Sequence, residues 1–290
     1  MFNGKSSRKL NSVGPVQGIG LFFLVVVGVI YLVPLFWLAN SSFLPESEIF
    51  QFPPKILTSP REAFQLYTLD SYRTAFGEHW NAGWALGVSV VVTVGGILLT
   101  LVLCSLCAYA FAYLEFPGKG VIFIAILATM MLPMGTMIAP YLGTIRMLHL
   151  KDNLLGLIIP YAGSAFGVFL LRQFYIKIPV ALIESARIDG AGHLKIWWNV
   201  IVPLSKPALA ALSIVQFRAI WNDFLNPMII LRSENLFTAT VRIQVMDSTN
   251  FSKPYDAIIA TGFVTALVPI IFFLVFQKQF IEGLAGGIKE

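Results

Sequence analysis

Charge is scarce in this chain. Asp, Glu, Lys and Arg make up 12% of its 290 residues, about half the share found in soluble globular domains. With 57% hydrophobic residues and a mean hydropathy of +0.78, that shortage excludes a water-soluble fold. Cysteine is rarer still, and the two residues present, Cys104 and Cys107, cannot build a disulfide framework. Their C-x-x-C spacing lies one helical turn apart among Leu103, Ser105 and Leu106, with no second pair and no nearby His, so it reads as packing rather than as a redox or zinc site. His79, His149 and His193 are far apart and share no ligand spacing, which leaves a metal centre without support. The net charge of +5 is scattered over many loops and forms no basic stripe, so no nucleic-acid partner is expected. Gly4-Lys5-Ser6 looks like the end of a phosphate-binding loop, but no glycine can stand five positions before Gly4 and no strand precedes it. No cofactor is expected on this chain.

What the chain has instead is long apolar runs. Segments 10 to 45, 79 to 114, 120 to 145, 153 to 171 and 257 to 277 contain no Asp, Glu, Lys or Arg, each near or above the ~20 residues that an α-helix needs to cross hydrocarbon. A sixth span covers about Val200 to Asn222, with Lys206 near its start and Arg218 within it. The fold class predicted is therefore all-α and polytopic, with six transmembrane helices in the lipid bilayer. Lys5, Arg8 and Lys9 precede the first span with no acid among them, which keeps the N-terminus, and with six spans also the C-terminus, on the cytoplasmic side. The first run continues through Phe36 and Trp37 without a small-residue cleavage site, and so reads as a permanent anchor.

This gives an organisation of a cytoplasmic tail over 1–17, a first transmembrane helix over 18–40, an extracytoplasmic loop over 41–78, a transmembrane core over 79–281 and a cytoplasmic tail over 282–290. Within the spans, Gly83 with Gly87 and Gly163 with Gly167 are small-x-x-x-small pairs that permit close helix approach.

One polar, sharply turned segment, 179–199, interrupts the core between long apolar stretches. Pro179 suits the first position of a helix, in which Ile183, Ala186 and Arg187 share one face while Glu184 and Ile188 share another. Gly190 can adopt the positive-φ conformation that ends it, a second helix begins near Gly192, and Pro203 starts the next span. Such a knob, with a flat Ala-rich side and the carboxylates of Glu184 and Asp189, suits either a groove on a partner protein or the membrane surface. The residue pattern by itself leaves both open.

The order of residues resembles the permease subunits of ABC importers. Glu184-Ser185-Ala186, Gly190 and Val200-Ile201-Val202-Pro203 keep the family spacing of Glu-Ala-Ala, three residues, Gly, nine residues and Ile-x-Leu-Pro, with Ser for one Ala and Val for Ile and Leu. The run from Ala186 to Ala191 with Pro203-Leu204 and Pro207-Ala208-Leu209 is similar to the maltose-type carbohydrate branch. Phe116-Pro117-Gly118-Lys119, Trp221-Asn222-Asp223-Phe224 and Gln279-Phe280 through Gly283 and Gly287 extend the likeness over about 80 to 289. The resemblance implies a type I importer core and a non-catalytic subunit. It also implies a second homologous permease subunit, two ATPase subunits that carry ATP and Mg, and an extracytoplasmic solute-binding protein. The ATPases would dock on Glu184, Ser185, Ala186, Asp189, Gly190 and Ala191.

Arg218 stands out on physical grounds, because a cation within a span is costly and faces a polar cavity or a partner. Asn222 lies on the same helical face, and Trp221 adds a flat apolar surface of the kind on which sugars stack. These three are the candidate solute path. An ion pair at the outer boundary that serves folding alone is the competing reading of Arg218. The carbohydrate branch implies an oligosaccharide or another polyol, and glycerol phosphate is the alternative that a cation in the path supports. An ion-coupled carrier would carry membrane-embedded acids and an internal repeat, whereas only Asp223 stands near a span and no repeat is seen. A polytopic membrane enzyme would need His, Asp or Ser clustered at one depth, and no such cluster is found.

Overall fold

The computed structural model describes residues 15–53, 55–56, 58–249 and 253–285, with side chains from 18 to 277 apart from Met134. The tail before Pro15, with Gly4-Lys5-Ser6, and the last residues from 286 lie outside the described residues, as do the side chains of Gln279 and Phe280. Among the described residues there is no strand. Helix α1 runs Pro15–Ser41, and the following segment forms three short helices, α2 Glu46–Ile49, α3 Pro60–Leu66 and α4 Asp70–Phe76. The long α5, Ala82–Tyr113, is followed by α6 Lys119–Ala128, α7 Met134–Met147, α8 Leu155–Tyr161 and α9 Ala165–Tyr175. Next come α10 Val180–Ile188, α11 His193–Ile196, α12 Val202–Leu204 and α13 Lys206–Trp221. The chain closes with α14 Leu225–Ile230, α15 Ala239–Asp247 and α16 Tyr255–Ala285.

Four stretches are long and apolar enough to cross a bilayer, namely Gly18–Ser41, Ala82–Tyr113, Leu155–Tyr175 and Tyr255–Gln277. Two more spans are broken: Lys119–Met131 meets Gly135–Met147 at 114°, and His193–Leu204 meets Lys206–Trp221 at 80°. Counting each bent pair once gives six. Proline causes the first break, since Leu132 before Pro133 is extended (φ −78°, ψ 124°), as a residue preceding proline prefers. At the second, Pro207 has no N–H to give the carbonyl of Pro203, so the helix ends at Ser205 and restarts at Lys206. Counted in this way, the fifth span begins at His193, ahead of the expected start at Pro203, because the π-turn over Trp197–Ile201 joins α11 to α12 without a break.

Helix α5 is the centre of the bundle, against which α8, α9, α13 and α15 pack. One apolar cluster at its C-terminal end joins Cys104, Tyr109, Leu171, Tyr175 and Leu212, and another at its N-terminal end joins Val88, Val92, Leu157, Ile220 and Ile230. Cys104 is buried there as packing. Helix α1 leaves most of its apolar surface bare and lies along α16. This is the composition of a rod solvated by lipid or by a second membrane protein.

Of the expected pairs, Gly83 and Gly167 make close approaches, whereas Gly87 and Gly163 do not. A Cβ at Gly87 would touch nothing within 4 Å and at Gly163 only the Pro160 carbonyl at 3.5 Å, whereas at Gly167 it would lie 2.9 Å from Cys104 Sγ. Gly156 is tighter still, because its Cβ would meet the Leu150 carbonyl oxygen at 2.3 Å. Backbone cannot swing away as a side chain can. Gly156→Ala is expected to lower the thermal midpoint of the detergent-solubilised protein more than Gly167→Ala does.

The loops sort by hydrogen bonding to opposite ends. At one end Asp152 accepts from the N–H groups of Arg232 and Ser233, both at 2.9 Å, and from Ser233 Oγ, while Trp84 Nε1 donates to the Asn235 carbonyl at 2.6 Å. The Asp152 carboxyl is held below its ordinary range, first by the Ser233 hydroxyl and then by the two backbone donors. A depressed folded-state value stabilises above the unfolded pKa and is lost as pH falls through the folded one. The thermal advantage of the parent over Asp152→Ala should thus be constant from about pH 5 upward and shrink in more acidic buffer.

Candidate coupling segment and solute path

The segment 179–199 sits at the other end and is tied to the bundle rather than hung from it. Pro179 precedes α10 in an extended conformation (φ −57°, ψ 125°), so the helix starts at Val180, one residue later than its sequence suggests. Its far end is a Schellman closure, in which Gly190 (φ +78°) donates to the Arg187 carbonyl at 2.9 Å and Ala191 to the Ala186 carbonyl at 3.0 Å. Glycine is the residue that enters this left-handed region without steric cost. Gly192 then precedes α11 as expected.

Ile183 and Ile196 are the anchors, both buried in the cluster around Leu171 and Tyr175. Ala186 and Ala191 pack against the same cluster. The flat Ala-rich side therefore faces the protein's own core, since Ala186 follows Ile183 by three positions on one helical face. What points outward is acidic and branched apolar. Glu184, Ser185 and Asp189 are exposed, beside Ile188 at 87% and Leu194 at 71%.

Polar clamps reinforce the apolar anchors. Tyr109 Oη lies 3.0 Å from His193 Nδ1, and His193 Nε2 lies 3.3 Å from Arg187 Nη2. A guanidinium can only donate, so in this contact His193 Nε2 stands as the acceptor for Arg187. Trp197 Nε1 donates to Ser105 Oγ at 2.8 Å, and Ser105 Oγ also bonds the Tyr175 hydroxyl at 2.6 Å. Tyr113 donates to the Tyr175 carbonyl at 2.6 Å. These bonds join the knob to α5, and α5 in turn to α9. None of these tyrosine and tryptophan partners is marked by the local sequence, because they come together only across helices.

At the opposite end of α13 the three path candidates part company. Arg218 is exposed and forms no ion pair among the described residues. Asn222 is also exposed, and its Nδ2 folds back onto the Arg218 carbonyl at 2.9 Å. Trp221 is buried, with Phe217 stacked at 5.7 Å and Nε1 donating to the Thr265 carbonyl of α16 at 3.2 Å. Its ring has no free face for a sugar, contrary to the expectation above. Four residues separate Trp221 from Phe217, so both rings fall on the side of α13 that meets α16.

Asp223 is where the chemistry was not foreseen. Its carboxylate accepts from Tyr161 Oη at 2.5 Å and from Asn226 Nδ2 at 2.6 Å, and the Asn226 N–H adds a third bond at 3.2 Å. These bonds tie the acid to α8 and α14, and among the described residues it forms no ion pair with Arg218.

Comparison with known proteins places this arrangement. No protein-family model matches the chain. The arabinooligosaccharides transport system permease protein AraQ of Bacillus subtilis (strain 168) is 35% identical over 270 residues, 92% of this chain and 94% of that protein. The sn-glycerol-3-phosphate transport system permease protein UgpE of Yersinia pestis is 31% identical over 294 residues, 94% and 98% of the two chains. In fold, the chain matches a crystal structure of a bacterial ABC transporter involved in the import of the acidic polysaccharide alginate. The TM-score is 0.80 at 24% identity, and the match covers 97% of this chain and 99% of that one. With six candidate spans, two of them bent, a glycine-turned helical knob clamped to one end and full-length relatives of this kind, the chain belongs to the ABC importer permease family of membrane transport proteins.

Proposed function

We propose that the chain forms half of the translocation pathway of an ATP-driven importer for a sugar or oligosaccharide. It pairs with a second, homologous permease subunit, with two ATPase subunits that carry ATP and Mg, and with an extracytoplasmic solute-binding protein; both termini face the cytoplasm. The exposed knob carries this reading. Ile188 and Leu194 are costly to leave in water, Glu184 and Asp189 offer carboxylates to cations of a partner, and the hydrogen bonds through Tyr109, Ser105 and Tyr175 provide a stiff link into the spans. Glu184, Ser185, Asp189 and Gly190 thus make or shape the docking surface, and Ala186 and Ala191 seat it. When the ATPases close on ATP the knobs follow, and the spans rearrange as rigid bodies. In the path, Arg218 and Asn222 meet solute while Trp221 fixes the helix that presents them.

The experiment is copurification of the tagged chain with an ATPase, followed by reconstitution in liposomes with candidate binding proteins. Hydrolysis stimulated by a loaded binding protein is the expected result, and solute uptake without any ATPase would overturn the reading. Arg218, exposed and without an acid beside it, favours a second solute, a glycerol phosphate, as for the UgpE relatives. Arg218→Gln separates the two: uptake of a phosphorylated solute should fall at least tenfold, about 1.4 kcal/mol, and uptake of a neutral sugar much less.

A further inference from the structure

Where α5 begins, a cleft of about 210 Å³ opens between Glu78, His79, Asn81 and Trp84 on one side and Glu234, Asn235 and Arg242 on the other. It is a built site. The Arg242 side chain is only 5% exposed, its Nη2 donates to the Glu234 carbonyl at 2.7 Å, and its ion pair with the Glu234 carboxylate is long, at 3.5 Å. Nε of the same guanidinium has no hydrogen-bond partner among the described residues, and a buried donor left so is costly. Trp84 is 57% exposed, yet its indole is fixed, because Nε1 is held by the Asn235 carbonyl at 2.6 Å. The Asn81 side chain does not cap α5. A rigid aromatic face beside an arginine, an amide and two carboxylates is the donor and acceptor set that a polyhydroxylated ring requires: its C–H face packs on the indole, and its hydroxyls donate to carboxylates and accept from the amide and guanidinium.

We propose that this cleft binds one neutral sugar unit at the outer mouth of the permease, apart from the path around Arg218. The volume is below the ~300–1,000 Å³ of pockets that enclose drug-sized ligands, so a single ring fits and the remainder of an oligosaccharide extends outward. The two carboxylates of Glu78 and Glu234 outnumber the one guanidinium, Arg242, in the lining, which disfavours phosphate and sugar acids. The inference rests on the proposed importer function for the side of the membrane on which the cleft lies, and narrows that function to an uncharged solute.

The test is saturation-transfer NMR on the complete detergent-purified complex, without binding protein, with arabinotriose as probe and glycerol 3-phosphate as competitor. Arabinotriose should give a saturable signal that glycerol 3-phosphate does not displace. Trp84→Ala should weaken it about tenfold or more, equivalent to about 1.4 kcal/mol. Trp84→Phe, which keeps an aromatic face, and Phe64→Ala, which removes an exposed ring of α3 outside the cleft, should leave it within about threefold of the parent, well under that 1.4 kcal/mol. A signal unmoved by Trp84→Ala, one lost in Phe64→Ala, or displacement by glycerol 3-phosphate would overturn the assignment. Failure of the importer reading looks different: arabinotriose binds with this pattern, but no solute stimulates ATP hydrolysis.

Discussion

Glu184→Lys combined with Gly190→Pro should leave the chain in the membrane and strip it of its ATPase. Gly190 has φ +78°, and proline is locked near φ −65°, so the Schellman turn cannot close. The Gly190 N–H bond to the Arg187 carbonyl also disappears. Ala191 then loses its seat against the core, and the direction from which α11 re-enters the bundle changes. Glu184 is exposed and has no ion pair among the described residues, so reversing its charge costs the free chain little while opposing any cation on a docked partner. An interface pair of this kind, once water is excluded, contributes well beyond the 0–1 kcal/mol of a surface pair. The measurement is ATPase copurification, with membrane yield and thermal midpoint as controls. Glu184→Lys alone is expected to weaken association with no change in midpoint, which isolates docking from folding. Retention of a stoichiometric ATPase by the double variant would refute the docking surface.

Much of this segment could be read from sequence because its signals are local. Gly190 ends α10 and Gly192 precedes α11 within one residue of expectation, and neither position depends on tertiary contact. The bilayer made the spans equally plain, since their length and lack of charge are set by hydrocarbon thickness. What escaped depends on which helix lies beside which. Trp221 read as a sugar platform because indole chemistry is visible in one residue, whereas the Phe217 ring and the Thr265 carbonyl that bury it are not. The alanines of the knob were turned the wrong way for the same reason, as only Ile183 in its pocket fixes the helix rotation. The fifth span begins at His193 rather than Pro203, because the π-turn over Trp197–Ile201 carries α11 into α12, a continuity that Lys195 and Asn199 hide in the sequence.

The second large effect is expected at Asp223. Asp223→Ala removes the acceptor for Tyr161 Oη, the Asn226 N–H and Asn226 Nδ2 together. Each stranded donor costs ~1–3 kcal/mol when it stays away from water, so the sum is expected at about 3 kcal/mol or more. That corresponds to a fall in thermal midpoint of at least about 6 °C for a chain of this size. The loss is not confined to stability, because this carboxylate ties α8 and α14 to the end of α13 that presents Arg218 and Asn222. Solute uptake should fall with it even at temperatures where the variant stays folded. Tyr161→Phe removes only one of the three bonds and should cost about 1 kcal/mol. If the network acts as a unit, the Tyr161→Phe, Asp223→Ala double variant is no worse than Asp223→Ala alone, since the tyrosine has nothing left to lose. Arg218→Ala provides the contrast: exposed and outside any ion pair among the described residues, it should leave the midpoint in place and change uptake alone. Equal midpoints for Asp223→Ala and Arg218→Ala would show that the carboxylate does not hold this end of the path together.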